Sequence, residues 1–385
     1  MTGTYRAAWL RPGRGISIAW WWQRHFQENS IAHLFHSCRG VWSAPISLLE
    51  KYGSSQETLM RAHDVSVVVI TFNAAEVLLR TMAAVASQSA PPRRVLIIDN
   101  KSGDGARERI RESVDLSFKD GRCEVHELPQ NLGFATANNR AIAMCDTEFV
   151  ALLNPDAFPH PDWLEKLLAA AERHPEVAAF GSRQMIDGQP GIVDGIGDVY
   201  HVSGLSWRAG HGRPIREEDL VEREIFSPCA AAALYRRSAL LEVGGFDEDF
   251  FCYFEDVDLG FRLRLAGYKC LYVPDAVVDH VGSASSGGRR SDFAVYHGHR
   301  NLVWCFLKNM PSPLFFPLLF AHFSQSILTG LVYLARGQGR IFAKAKWHAT
   351  KKLPQFWKKR QAVQRVRRAS WQEIWQALDK SFWRS

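Results

Sequence analysis

The 385-residue chain reads as an α/β protein: a mostly parallel sheet flanked by helices, with an aromatic extension before it and a basic helical region after it. Three observations predict this. Short apolar runs, Val65-Ser66-Val67-Val68-Val69-Ile70 and Val95-Leu96-Ile97-Ile98, lack the polar alternation of a half-exposed strand and read as strands buried on both faces. Stretches of helical length lie between such runs, the spacing of βαβ units. Hydrophobic residues make up 46% and charged residues 23%, enough to bury a sizeable core and too apolar for a disordered chain.

The elements follow in order. Residues 1–63 are aromatic and without clear period, and no role is assigned to them. From Asp64 the pattern changes abruptly, with a first strand over 65–70. A helix is expected from about Ala74 to Gln88, stopped by Pro91-Pro92. The second strand ends in Asp99, and Ser102, Gly103 and Gly105 then supply a turn and a helix cap. A third strand is expected near Cys123–Leu128, a helix over Ala135–Met144, and a fourth strand over Glu148–Leu153 that ends in Asn154-Pro155-Asp156. A helix over Asp162–Arg173, a strand at Val177–Phe180, a helix starting near Glu255 and a strand-like run ending at His280 complete the unit. The division is therefore 1–63, 64–310 and 311–385.

Charge is unevenly placed. From Pro311 onward the chain carries 14 Lys and Arg against 2 acids, leaving 33 against 38 in the first 310 residues. Of 13 Trp, five precede residue 64 and five follow residue 346. Tryptophan interleaved with Lys and Arg points to an anionic membrane surface. With no nucleic-acid-binding signature visible, nucleic acid is not the expected partner. The stretch Asn309–Leu334 is free of charge and long enough to cross a bilayer. Its prolines and the His322, Ser324, Gln325, Ser326 group favour a helix lying in the interface; a buried helix pair of a soluble domain is the remaining reading. Seven cysteines without a CxxC pair form neither a zinc set nor a disulfide framework and fit a reducing compartment. The Trp20-Trp21-Trp22 segment, bracketed by Arg14 and Arg24, is too short for a signal peptide.

Ligands in parallel α/β sheets bind beyond the carboxyl ends of the strands, so the polar residues there are the candidates. Asp99 reads either as part of a capped turn or as a crevice carboxylate that accepts from a base or ribose. Asn131 and Gly133 precede a helix whose N-terminus favours phosphate. Asn154-Pro155-Asp156 places a carboxylate where it can hold a hard cation with a diphosphate. The densest signal is Phe250-Phe251-Cys252-Tyr253-Phe254-Glu255-Asp256-Val257-Asp258. Asp258 can pair with Arg262 four residues on, a structural role. Glu255 and Asp256 have no such local partner, and a carboxylate among apolar rings gains a raised pKa suited to a base. His280 ends a strand and can reach a metal at Asp156. Arg289, Arg290, His299 and Arg300 offer positive charge to a diphosphate, and Gly282–Gly288 reads as a lid loop.

Taken together, the motifs VSVVVITFN, VLIIDNKSGDG, NLGFATANN, LLNPDA, GGFDEDFFCYFEDVDL and HRN resemble the inverting glycosyltransferases of family 2, with the A-type glycosyltransferase fold, over about residues 64–310. Within that family the chain is most similar to the bacterial rhamnosyltransferase-like branch that builds cell-surface polysaccharides. The resemblance implies that Asp99 contacts the nucleoside and that Thr71, Asn73 and Asn138 line the donor site. It sets Asn154-Pro155-Asp156 at the DXD metal motif, with Asn in place of the first acid, so that Asp156 alone supplies the carboxylate. Asp256 then matches the general base and His280 the group near metal and diphosphate. A nucleoside-diphosphate sugar donor, a glycan or lipid-linked acceptor, Mg²⁺ or Mn²⁺, and a place on the cytoplasmic face of the bacterial inner membrane are the corresponding expectations. A nucleotidyltransferase would need a Gly-rich basic loop after the first strand, where TFNAAEVLLR stands instead.

Overall fold

A computed structural model describes residues 63–103, 105–282 and 291–381. Most of residues 1–63, together with Arg289, Arg290 and the loop beyond Gly282, thus lie outside the described residues. The strands β1 (His63–Thr71), β2 (Pro92–Asp99), β3 (Cys123–Glu127) and β4 (Phe149–Leu153) lie parallel in the order β3-β2-β1-β4. The helices α1 (Ala75–Ala86), α2 (Ala106–Ser117) and α3 (Gly133–Met144) connect them. This is the expected α/β sheet, and its order reverses beside β1, where a doubly wound sheet opens its ligand crevice. The register sets Thr71 beside Asp99 and Val69 beside Leu153, so the polar residues after three strands share one edge.

The sheet then changes character. Strand β6 (Val177–Ile186), reached through β5 (Ala157–Pro159) and α4 (Trp163–Arg173), pairs with β11 (Ala232–Arg236), which runs antiparallel to both β4 and β6. Outside β6 lies the parallel strand β12 (Lys269–His280), with short β10 (Arg223–Glu224) at the edge. β7 (Val193–Gly195) pairs with β6, and β8 (Asp198–Tyr200) and β9 (Ser206–Arg208) form a separate hairpin. Val65, Val67 and Val69 enter the core on one face of the sheet, and Val68 and Ile70 enter the core on the other, as the period of two requires.

The helices α5 (Arg237–Glu242), α6 (Glu255–Leu265), α7 (Asp292–Asn309), α8 (Ser312–Ala335), α9 (Gly339–Lys351), α10 (Leu353–Arg365) and α11 (Trp371–Ala377) follow. A third core joins Phe250 and Phe261 to Trp304, Phe306 and Phe356. Trp304 stacks on Phe356 with ring centroids 4.5 Å apart, so α10 is packed against α7 rather than trailing from it. Pro317 lies inside α8. One side of α8 buries Leu314, Phe315, His322 and Gln325. The other leaves Phe316, Phe320, Phe323, Ile327, Leu331 and Leu334 exposed, at the spacing of a single helix face. Lys352 and Lys359 bind Asp249, and Arg368 pairs with Glu242 at the surface. Arg336, Arg340, Lys344, Lys351, Lys358 and Arg365 are exposed.

Candidate active site

The strand ends open onto a cavity of about 1240 Å³. Asn154, Pro155 and Asp156 after β4, Asn131 just before α3 and Gly133 at its start, Glu255 and Asp256 at the start of α6, and His280 at the end of β12 all line it. The small side chains of Cys229, Ala230 and Ala231, just before β11, form part of its wall.

The Glu255–Asp256 pair is presented by strained backbone. Phe251, Tyr253 and Phe254 all have positive φ, at 66°, 65° and 70°. Around Phe251 the Cys252 amide donates to the Phe250 carbonyl at 2.8 Å, a γ-turn of the strained hand (φ 66°, ψ −67°). Such conformations cost about 1–3 kcal/mol each and persist only when the surroundings hold them. The buried Asn301 amide on α7 does so, donating to the carbonyls of Phe250 (2.9 Å), Cys252 (2.9 Å) and Tyr253 (2.7 Å). Arg300 donates to the Phe250 carbonyl at 2.9 Å and lies over the Trp304 ring. From the opposite side Gly133 closes on the turn. A Cβ there would meet Phe251 Cδ2 at 2.5 Å and the Phe251 carbonyl at 2.6 Å, and φ is +83°. The glycine of NLGF is therefore required by close approach to the acid loop.

The two acids differ in setting. Burial pushes Glu255 well above the usual carboxylate range, and the neighbouring Asp256 charge adds to this. Its Oε2 finds no hydrogen-bond partner among the described residues. Burial also raises Asp256, but Asp256 accepts from the Val257 amide at 2.8 Å and the Ala230 amide at 3.4 Å, and Arg208 favours its charge. Burial thus raises both acids, and only Asp256 has backbone donors and a nearby Arg208 that favour its charged form. Asp258 is a structural residue, as its spacing implied. It accepts from Arg262 (2.8 Å), Lys308 (2.8 Å) and Asn309 (2.8 Å) in the core.

At the other end of the cavity His280 Nε2 lies 3.4 Å from Asp156 Oδ1 and 3.4 Å from Asn154 Nδ2. Both His280 and Asp156 are more than nine-tenths buried. One carboxylate oxygen and one imidazole nitrogen this close could together hold a divalent cation. Among the described residues no three His, Cys, Asp or Glu converge to enclose a cation alone, so substrate oxygens would complete the shell.

Other expected residues take different places. Asp99 is buried at the end of β2 and accepts from the Ser102 amide at 3.0 Å; it stands behind Asn100, which lines the cavity. Asn100 and Asn131 join through a 3.0 Å hydrogen bond. Thr71 is fully buried, its hydroxyl without a hydrogen-bond partner among the described residues. Asn73 ties the β1 end to the loop after β2, accepting from the Gly103 amide at 2.9 Å. Five of the residues expected on the donor side lie outside the cavity lining: Thr71, Asn73 and Asp99, placed as above, and Asn138 and Arg300. Asn138 is buried and donates back to the Phe134 carbonyl, one helical turn earlier, so it lies outside the cavity lining. Arg300 lies outside the lining as well, because the carbonyls of the strained loop and the Trp304 face occupy its guanidinium. His299 is also held away, packed against Tyr333 and Phe342.

One wall was absent from the sequence reading. Asp198, Ser206, Trp207, Arg208, His211, Arg213 and Arg216 line the cavity from the β8–β9 region. The interleaving of Asp, Arg and His with glycine across residues 194–213 is the signal that could have exposed it.

Residues 66–244 match the family described as Glycosyl transferase family 2. The N-acetylglucosaminyl-diphospho-decaprenol L-rhamnosyltransferase of Mycobacterium tuberculosis is 32% identical over 275 residues, covering 64% of this chain and 84% of that protein. The poly-beta-1,6-N-acetyl-D-glucosamine synthase of Staphylococcus aureus is 24% identical over 269 residues, covering 68% of this chain and 61% of that protein. The crystal structure of GalNAc-T7 with UDP, GalNAc and Mn²⁺ superposes with a TM-score of 0.52 at 15% identity, covering 66% of this chain and 49% of that one, and shares the fold.

Proposed function

The chain belongs to glycosyl transferase family 2, and from that premise we propose an inverting transfer of a sugar from a nucleoside-diphosphate donor to a hydroxyl of a lipid-linked glycan acceptor. The observation that carries the reading is Asp256. It faces the same cavity as Asp156 and His280, beside the buried Glu255 and with its own pKa raised by burial.

In this reading the acceptor hydroxyl attacks the anomeric carbon from the face opposite the diphosphate. Its proton passes to Asp256 as the new C–O bond forms. The bond from the anomeric carbon to the diphosphate breaks, and the nucleoside diphosphate leaves with that electron pair. Configuration inverts in one displacement. Asp156 and His280 would hold Mg²⁺ or Mn²⁺, which when bound neutralises charge on the leaving diphosphate. Asn100, Asn131 and Gly133 shape the donor end; Asp99 sets the turn behind Asn100. Arg300 and Asn301 position the acid loop and do not touch the donor.

The relative from Mycobacterium tuberculosis is named for a diphospho-decaprenol acceptor. A lipid-linked acceptor suits this chain because α8 exposes an apolar face while its opposite side packs on the body. The helix is long and apolar enough to cross a membrane, but the burial of Leu314, Phe315, His322 and Gln325 on one side favours a helix that lies in an anionic membrane surface, with exposed Lys and Arg at the headgroups. The site of action is then the cytoplasmic face of the bacterial inner membrane.

The test is nucleotide release from a panel of nucleotide sugars, dTDP-rhamnose among them, with a polyprenyl-diphosphate-linked acceptor. The expected result is turnover with one donor, dependent on Mg²⁺ or Mn²⁺ and lost in EDTA. Turnover that EDTA leaves unchanged would refute the metal assignment. Absence of both turnover and binding for every donor would refute the transferase reading.

A further inference from the structure

We propose that Asp194 is the positioning residue that holds His280 in its metal-binding tautomer, an inference that rests on the metal reading above. Asp194 belongs to β7, whose neighbour β6 separates it from β12, the strand that ends in His280. Its Oδ2 lies 2.8 Å from His280 Nδ1. The two side chains are 5% and 2% exposed, so no water competes for this contact. A carboxylate that accepts at Nδ1 keeps the proton on that nitrogen. The Nε2 lone pair is then directed to the Asp156 side, where Asp156 Oδ1 stands at 3.4 Å. Histidines that bind metals are oriented this way by a carboxylate behind the ring, and loss of that partner typically weakens metal affinity about 10–100-fold.

The rest of the cluster keeps Asp194 an acceptor. Arg208 forms an ion pair with its Oδ2, and His211 Nδ1 lies 3.1 Å from its Oδ1. With His280 Nδ1 at 2.8 Å, the carboxylate is surrounded by nitrogen donors. The route of Arg208 to this carboxylate passes over Gly195, where a Cβ would meet Arg208 Cδ at 3.0 Å. Arg208, His211 and His280 also line the cavity, so one carboxylate ties the basic wall to the metal end.

Two measurements test this. The first is the ¹⁵N NMR spectrum of metal-free wild-type protein at alkaline pH, with His280 assigned through the loss of its signals in His280→Gln. The proposal expects the Nδ1–H tautomer, and the Nε2–H tautomer would overturn it. The second is Mn²⁺ binding followed by the EPR signal of free Mn²⁺, in the presence of UDP, dTDP or GDP, for wild type, Asp194→Asn and Asp156→Asn. Asp194→Asn is expected to bind Mn²⁺ about 10–100-fold more weakly than wild type while retaining its affinity for the metal-free nucleotide. Its transfer rate is expected to recover at saturating Mn²⁺, which a general structural defect would not allow. Equal Mn²⁺ affinity in Asp194→Asn and wild type, with the affinity lost in Asp156→Asn, would overturn the role of Asp194 and leave the metal reading standing. Absence of Mn²⁺ binding to wild type with every nucleotide would remove the metal reading, and this proposal with it.

Discussion

Replacing Asn301 with leucine separates the shape of the α7 clamp from its hydrogen bonds. Leucine has nearly the same volume and no donor. The Cys252 and Tyr253 carbonyls would each lose the Asn301 amide, at 2.9 and 2.7 Å, while Phe250 keeps the Arg300 guanidinium at 2.9 Å. At about 1–3 kcal/mol for each part-buried acceptor left without its donor, the loss is at most roughly 2–6 kcal/mol. The loop it restrains holds three residues at positive φ, each costing about 1–3 kcal/mol, so the strain is large enough for the loop to relax once the clamp is gone. Glu255 and Asp256 follow this loop directly. A displacement of about 1 Å at the base costs on the order of 10²-fold in rate. Asn301→Leu is therefore expected to lower kcat at least about 100-fold, with nucleotide affinity nearly unchanged, because Asn100, Asp156 and His280 are carried by the sheet. The assay combines steady-state transfer, calorimetric nucleotide binding and thermal melting. A variant that melts several degrees lower yet keeps wild-type kcat would refute the coupling between clamp and base.

Further outcomes follow from the same geometry. Asp256→Asn is expected to lose about 10²–10⁴-fold in transfer while still binding donor, since the amide keeps the shape but cannot take the proton. Glu255→Gln is expected to raise the melting temperature at neutral pH. The fold holds the Glu255 proton more tightly than the unfolded chain does, so stability falls as pH rises from the ordinary carboxylate range through the raised folded value. Melting at pH 4 and pH 7.5 should show the gain at the higher pH alone. Gly133→Ala forces a Cβ to within 2.6 Å of the Phe251 carbonyl and is expected to reduce kcat and lower the melting temperature; normal values for both would refute the close approach. Changing Phe320, Ile327 and Leu331 together to Glu alters only side chains at least 58% exposed. At about 1 kcal/mol or more for each apolar side chain no longer buried in lipid, flotation with anionic liposomes should weaken roughly 100-fold while the melting temperature holds. Unchanged flotation would refute the α8 membrane face.

The sequence by itself determined the strand ends and what stands on them. Asp99, Asp156 and His280 stand at or just beyond the ends of apolar runs, and a buried strand has so few alternatives that its end is visible in local pattern alone. The acid block 250–258 was equally legible, including the structural Asp258, because its Arg262 partner lies one helical turn away. Tertiary structure decided the rest, wherever a partner is distant in sequence. A positive side chain near the site looks the same whether it meets a diphosphate or a carbonyl. Packing of α7 on the strained loop gave Arg300 the carbonyls, and packing of α10 gave Lys359 to Asp247 and Asp249. Asn138 and Asn139 are neighbours in sequence, but helix rotation turns Asn138 back onto its own helix and sends Asn139 to the Phe246 backbone. The cluster of Asp194, Arg208, His211 and His280 spans 86 residues and exists only because β7, β6 and β12 pair. Short-range periodicity records which face of an element is buried; which charge it meets there is fixed by long-range strand pairing and helix packing.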